Sequence, residues 1–268
     1  MKKISFVITS YNRKNIISKS IDSVINQNTF FKFGELIIVD DASTDKTVCF
    51  LKDKYSNFIL DNKIKIIELK KNLGVTGAKN VGFKESTGDW VIFLDSDDLL
   101  VDNCFDEMLE ILYSFESLPI IFFRCINELN KFVGIKFENN KILDLEEYLE
   151  NTSYGEALTA INKRLDNNQP YVTELRGYEG LGCSRLIYKY DNALLSKLIA
   201  RIYFQNSEDR LSVNSGFLRR MPLLSKGHFL MLKEFGKFMT LKSKSFYFIK
   251  AMVYYVVGNI YYFIKGRK

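Results

Sequence analysis

Four short apolar runs, each followed by a polar loop and then a stretch with helical spacing, restrict this chain more tightly than any other feature of it. Residues 4–9, 35–41, 64–69 and 90–94 read as strands. Between them, Ile17, Ile21, Val24 and Ile25, then Val48, Leu51 and Tyr55, then the segment 72–88 with glycines at 74, 77 and 82 and a fourth, Gly88, at its end, read as helices. Strands alternating with helices predict a mostly parallel sheet, flanked by helices on both faces and joined by right-handed crossovers.

Two of the strands end on acids. Trp90-Val91-Ile92-Phe93-Leu94 runs into Asp95-Ser96-Asp97-Asp98, and Leu36-Ile37-Ile38-Val39 runs into Asp40-Asp41. Ligands of open α/β sheets gather beyond the carboxyl ends of the strands, so acids there face a crevice. Asp95 and Asp97 are two residues apart, and in extended backbone both would point to one side. Two carboxylate oxygens so placed suit a divalent cation that also binds phosphate. A turn followed by a helix N-cap accounts for the same acids equally well, because residues 103–115 continue with helical periodicity.

Four segments in order and spacing resemble the inverting family 2 glycosyltransferases. They are Val7-Ile8-Thr9-Ser10-Tyr11-Asn12, then Ile38-Val39-Asp40-Asp41-Ala42-Ser43-Thr44-Asp45, then Asn72-Leu73-Gly74-Val75 with Ala78-Lys79-Asn80-Val81-Gly82, and Phe93-Leu94-Asp95-Ser96-Asp97-Asp98. The resemblance spans residues 3–100 and implies a GT-A fold, a Rossmann-like α/β sheet with flanking helices. It implies that Thr9, Tyr11 and Asp41 hold the nucleoside, with Tyr11 against the base and Asp41 hydrogen-bonded to it. Asp95 would contact the ribose or sugar, Asp97 would bind a divalent cation (Mn²⁺ or Mg²⁺), and Lys79 would lie near the diphosphate. The family more often has Arg at that last position, and Lys keeps the charge without the bidentate fork. The implied reaction moves one sugar from a nucleotide diphosphate donor, a UDP-sugar, to a glycan or lipid-linked glycan of a surface polysaccharide, with inversion.

The second half reads less clearly. Residues 103–115 suggest a helix, 119–125 a strand, and 143–150 a short helix, while 151–182 is polar and Gly- and Tyr-containing. Leu194, Leu195, Leu198 and Ile199 suggest a further helix, followed by Asn206-Ser207-Glu208-Asp209. This last segment looks like the family's acceptor side, which makes Asp209 the expected catalytic base. An acceptor hydroxyl attacks well only when a positioned carboxylate takes its proton. A helix-start acid pair favoured by the macrodipole is the competing explanation.

Charge separates the C-terminus from the rest. Residues 219–268 hold eleven Lys or Arg and one acid, net +10, which leaves residues 1–218 at net −4. Within this tail, 246–264 is aromatic and aliphatic apart from Lys250 and Asn259, with Lys242, Lys244, Lys265, Arg267 and Lys268 around it. Its length could span a bilayer, but Lys250 and the tyrosines favour a helix lying on the inner leaflet, with a packed or oligomer-forming helix as the alternative. The expected organisation is therefore a nucleotide-sugar-binding half (1–102), an acceptor-side half of the same domain (103–218) and a basic aromatic helical extension (219–268). The expected location is cytoplasmic, peripheral to the inner face of the cell membrane.

Composition removes several other classes. With 47% hydrophobic residues the chain can bury a sizeable core. Cys49, Cys104, Cys125 and Cys183 form no CxxC pair, which predicts neither a zinc site nor a disulfide framework, and the lone His228 lacks the partners of a zinc or Ser-His centre. No nucleic-acid-binding motif accompanies the basic tail. A phospho-accepting receiver domain would carry its acidic pair after the first strand, where this chain has Ser10-Tyr11-Asn12. A nucleotidyltransferase would need a Gly-rich, basic N-terminal loop, which is missing.

Overall fold

The structure is a computed structural model that describes residues 3–150, 154–204 and 214–265. In chain order the strands are β1 (Ile4–Ser10), β2 (Gly34–Asp40), β3 (Ile64–Glu68), β4 (Trp90–Asp95), β5 (Leu99–Leu100), β6 (Ile120–Asn127), β7 (Lys141–Leu143), β8 (Ala157–Asn162) and β9 (Ala193–Tyr203). The helices are α1 (Ile17–Ile25), α2 (Phe30–Phe33), α3 (Thr47–Lys54), α4 (Ser56–Leu60), α5 (Val75–Glu85), α6 (Phe105–Ser114), α7 (Leu145–Glu150), α8 (Glu179–Tyr190), α9 (Asn214–Phe235) and α10 (Leu241–Lys265).

The strands form one mixed sheet in the order β3-β2-β1-β4-β8-β6-β9-β5, with β7 also on β9. Strands β3, β2, β1 and β4 are parallel, as the βα alternation requires, and β8 then enters antiparallel to both β4 and β6. Strict alternation along the parallel strands feeds two cores. Ile4, Phe6 and Ile8 of β1, Leu36 and Ile38 of β2, and Ile92 and Leu94 of β4 pack on one face with α1 and α6. Val7, Ile37, Val39, Val91 and Phe93 pack on the other, against Ala78 and Phe83 of α5 and Leu181 and Ile187 of α8. Each such side chain taken fully from water contributes about 1.5–3 kcal/mol, so the period-2 pattern alone goes far towards setting the register.

Two sequence expectations change. Residues 194–199, expected as a helix, lie within β9, and the helix lies earlier, at 179–190. Leu194, Leu195, Leu198 and Ile199 satisfy a helical period, but β6 offers a parallel edge that pairs Leu194, Leu195 and Ile199 with Ile121, Phe122 and Arg124. Sheet pairing with a distant strand overrode the local spacing. The segment 151–182, left unassigned above, supplies β8 and a 3-10 turn at Thr173–Leu175.

The basic tail folds as an antiparallel pair of helices. Gly258 of α10 lies against Pro222 of α9, and the Ser225 hydroxyl donates to the Ala251 carbonyl at 2.8 Å. Among the described residues no helix is long and apolar enough to cross a membrane. The lone histidine, His228, is buried in this pair, 2.7 Å from the Tyr178 hydroxyl through Nδ1 and between Tyr247 and Tyr254. Of the four thiols, all free, Cys104, Cys125 and Cys183 are buried and Cys49 is exposed.

Candidate active site

Beyond the carboxyl ends of β1, β2 and β4 lies a cavity of about 700 Å³, within the range of small-molecule sites. Six residues singled out from the sequence line it together: Thr9, Tyr11, Asp41, Lys79, Asp95 and Asp97. The seventh, Asp209, and its neighbour Glu208 lie outside the described residues.

Asp41 follows β2 directly. Its backbone N–H donates to the Ser10 carbonyl at 2.7 Å, and its carboxylate accepts the N–H groups of Leu73 (2.6 Å) and Gly74 (2.8 Å) where α5 begins. Gly74 has φ +78°, a conformation that costs glycine little and other residues more, and this turn aims the two amides at the acid. Burial pushes the Asp41 carboxyl above its ordinary pKa, against the pull of the two amides and of Arg176. Free lone pairs remain on both oxygens for a donor such as a base N–H. Tyr11 lines the cavity and is 48% exposed.

The acids after β4 are arranged differently from the sequence expectation. The strand ends at Asp95, Ser96 and Asp97 form a turn, and the Asp98 N–H closes on the Asp95 carbonyl at 3.2 Å. It is the turn, not strand pleating, that brings Asp97 to the same cavity as Asp95. Asp98 is buried at 1% exposure, 2.6 Å from Arg201, and accepts the Phe204 N–H at 3.0 Å. Pairing of β5 with β9, Leu100 opposite Arg201, creates this contact. Burial raises the Asp98 pKa; Arg201 opposes that, while Asp95 and Asp97 add to it.

Arg201 and Lys79 share Asp95 between them. Arg201 approaches Asp95 Oδ2 at 3.4 Å, and Lys79 Nζ approaches Asp95 Oδ1 at 3.1 Å and Glu179 Oε1 at 3.1 Å. For both cations burial disfavours charge, but the adjacent carboxylates outweigh it and hold them protonated. Asp95 is thereby committed to two cations and Asp98 to one. Among the described residues no three His, Cys, Asp or Glu side chains group as a self-contained metal cage. A cation that takes most of its ligands from bound phosphates needs only one or two protein carboxylates, and Asp97 fits that part.

Arg201 and Glu179 are two of the cavity residues that sequence reading did not identify. A charged residue closing the apolar run Leu198-Ile199-Ala200 was a usable signal, because a buried Arg requires an acid partner. Glu179 opens α8 from within the Gly- and Tyr-containing stretch, where no periodicity marked it.

Residues 5–125 match the family described as Glycosyl transferase family 2. Over 216 residues the chain is 29% identical to the GalNAc(5)-diNAcBac-PP-undecaprenol beta-1,3-glucosyltransferase of Campylobacter jejuni, covering 77% of this chain and 67% of that protein. Among solved structures it superposes on S. aureus TarS 1–349 in complex with UDP-GlcNAc with a TM-score of 0.67 at 18% identity, over 86% of this chain and 66% of the other. It superposes equally, at 0.67 and 14% identity, on the Pyrobaculum calidifontis mannosyltransferase in complex with GDP-Man and Mn²⁺, over 97% of this chain and 73% of the other. The chain thus spans about two thirds of the Campylobacter protein and of the TarS fragment. Its sheet order, its acids at the strand ends and these likenesses agree: residues 5–125 carry a glycosyl transferase family 2 segment, and the chain has the GT-A fold.

Proposed function

We propose that this glycosyltransferase moves one sugar from a nucleotide diphosphate donor, a UDP-sugar, to a lipid-linked glycan in one in-line displacement that inverts the anomeric centre. The observation that carries the reading is the convergence of Thr9, Tyr11, Asp41, Lys79, Asp95 and Asp97 on one cavity. In this reading Tyr11 stacks on the base, and Asp41, its carboxylate oriented by two backbone amides, accepts a base N–H. Asp95, held between Lys79 and Arg201, receives the ribose or sugar hydroxyls, and Lys79 offsets diphosphate charge. Asp97 would hold the divalent cation, Mn²⁺ or Mg²⁺, which when bound supplies Lewis-acid stabilisation of the departing diphosphate.

The acceptor hydroxyl must lose its proton to a carboxylate. Asp209 is the residue expected in that role from the sequence. Glu179 is a second candidate, because its carboxylate lines the same cavity. The lipid-linked acceptor is inferred from the Campylobacter relative, whose name specifies an undecaprenol diphosphate substrate. The C-terminal helices support that inference: Ile249, Val253, Val256, Ile260 and Phe263 of α10 are all at least 48% exposed. Flanked by Lys242, Lys244 and Lys265, such a surface suits peripheral contact with anionic lipid at the inner face of the membrane.

Thermal stabilisation by UDP-glucose, UDP-N-acetylglucosamine and GDP-mannose, each with Mn²⁺, Mg²⁺ or EDTA, tests the donor and the cation together. One nucleotide sugar is expected to stabilise the protein, more strongly with a divalent cation, and Asp97→Ala is expected to remove the cation's share. Absence of stabilisation by every nucleotide sugar would sink the proposal.

A further inference from the structure

Six cations line the cavity, and five of them, Arg13 apart, fall into two groups. Lys79 and Arg201 each meet two carboxylates. Arg176, Arg219 and Arg220 also line it, and among the described residues none of these three has a carboxylate within 4.0 Å. They come from outside the family-matched segment 5–125, so neither that match nor the sequence motifs assign them a role.

Their placement is built rather than incidental. Arg220 reaches past Gly177 and donates through Nη2 to the Gly177 carbonyl at 3.1 Å, while its Nε–H is buried without a partner among the described residues. A Cβ at Gly177 would fall 2.4 Å from Arg220 Nη2, and Gly177 has φ +100°, so glycine there leaves the guanidinium its space. Arg176 has φ +44° and is tied to Asn72 by two hydrogen bonds, at 3.3 and 3.1 Å. Arg219 is adjacent to Arg220 on α9; the Tyr262 hydroxyl of α10 donates to its carbonyl at 3.0 Å, and its guanidinium is hydrogen-bonded to Tyr261. Each guanidinium has five N–H donors, so most donors on Arg176 and Arg220 are left over after these contacts. Burial lowers the Arg220 pKa, against the pull of nearby Glu179, so an added anion would relieve a desolvated charge.

The geometry points to a phosphoanion subsite formed by Arg176, Arg219 and Arg220, which takes a phosphate or diphosphate group where the cavity meets the C-terminal helices. Planar guanidinium forks match phosphate oxygens in pairs, and three of them suit a diphosphate better than a carboxylate. The group is either the donor's diphosphate or a phosphate that links the acceptor glycan to its lipid. Naming those sources rests on the proposed sugar transfer; the subsite itself does not.

Calorimetric titration of the full chain with inorganic pyrophosphate in EDTA tests the subsite without a cation bridge at Asp97. Wild type is expected to bind, and the Arg176→Gln, Arg219→Gln double variant, altered at two exposed side chains, to bind about tenfold or more weakly. Arg220→Gln, with its fold checked by circular dichroism, is expected to show a loss of the same order. If wild type does not bind pyrophosphate, or if the double variant binds it as tightly as wild type, the subsite is wrong. UDP titration and kinetics then separate the sources. A proportional loss of UDP affinity supports the donor's diphosphate. UDP affinity held within about twofold, with KM raised only for a phosphate-linked acceptor and not for the same glycan without phosphate, supports the acceptor. Arginine-dependent pyrophosphate binding by a protein that transfers no sugar would keep the subsite and overturn the proposed function.

Discussion

Lys79 Nζ donates to Glu179 Oε1 at 3.1 Å, joining residues 100 positions apart in the chain. The same nitrogen lies 3.1 Å from Asp95, so one buried ammonium holds together the end of β4, helix α5 and the start of α8.

Lys79→Met should therefore destabilise the protein by about 3 kcal/mol, the lower end for breaking a buried ion pair, since both carboxylates keep some water contact. Urea unfolding with an unchanged slope and a lower midpoint is the expected record. A midpoint equal to wild type would show that the three groups are not coupled as described.

The two candidate bases can be separated by turnover. Asp209→Asn should leave donor affinity close to wild type and lower kcat by about 10²-fold or more. Glu179→Gln should disturb Lys79 as well, raising the donor KM together with any loss of kcat. If Asp209→Asn turns over normally and Glu179→Gln carries the loss in kcat, the base is Glu179.

His228 supplies a pH dependence with a definite sign. Burial among tyrosines, with Lys250 adding repulsion, pushes its pKa down to about 4 from an ordinary value of 6.5. The folded protein then binds fewer protons at this site than the unfolded chain between these values. Its contribution to stability is whole above about pH 6.5 and is lost as pH falls towards about 4, amounting to about 2–3 kcal/mol. Because the chain has one histidine, its imidazole NMR signal is unambiguous. A titration midpoint near 6.5, or an unaltered pH–stability curve in His228→Gln, would contradict the burial argument.

The exposed face of α10 predicts lipid binding. Ile249→Ser and Ile260→Ser should each weaken association with anionic vesicles about tenfold or more without changing helicity, since a buried Ile contributes about 1.5–3 kcal/mol. Raising salt should weaken it further through Lys242, Lys244 and Lys265. Should wild type ignore anionic vesicles and instead dimerise with increasing concentration, the face is a protein interface.

Most of the first hundred residues were legible because the longer strands and helices there are dictated by their own neighbours, whereas the short α2, α4 and β5 were not read. Period-2 alternation in β1, β2 and β4 divides side chains between two cores, the intervening helices carry apolar spacing, and Asp41, Asp95 and Asp97 follow directly from strand ends. Strand-end position alone was sufficient to send Asp41 and Asp95 towards a common crevice. Asp97 reached the same place for a reason the spacing did not supply, a turn closed by the Asp98 amide.

The sequence by itself thus determined the βα alternation, the parallel half of the sheet, the cluster of acids at its edge and the concentration of basic charge in the last fifty residues. Only the tertiary structure decided that residues 193–203 are a strand, that Arg201 neutralises Asp98, that Glu179 faces Lys79, and that Arg176, Arg219 and Arg220 reach the cavity. The physical reason is range. Helix and strand periodicity are local properties of neighbouring residues, whereas the pairing of β9 with β6 and the burial of charge against charge depend on partners far away in the chain, which local spacing does not encode.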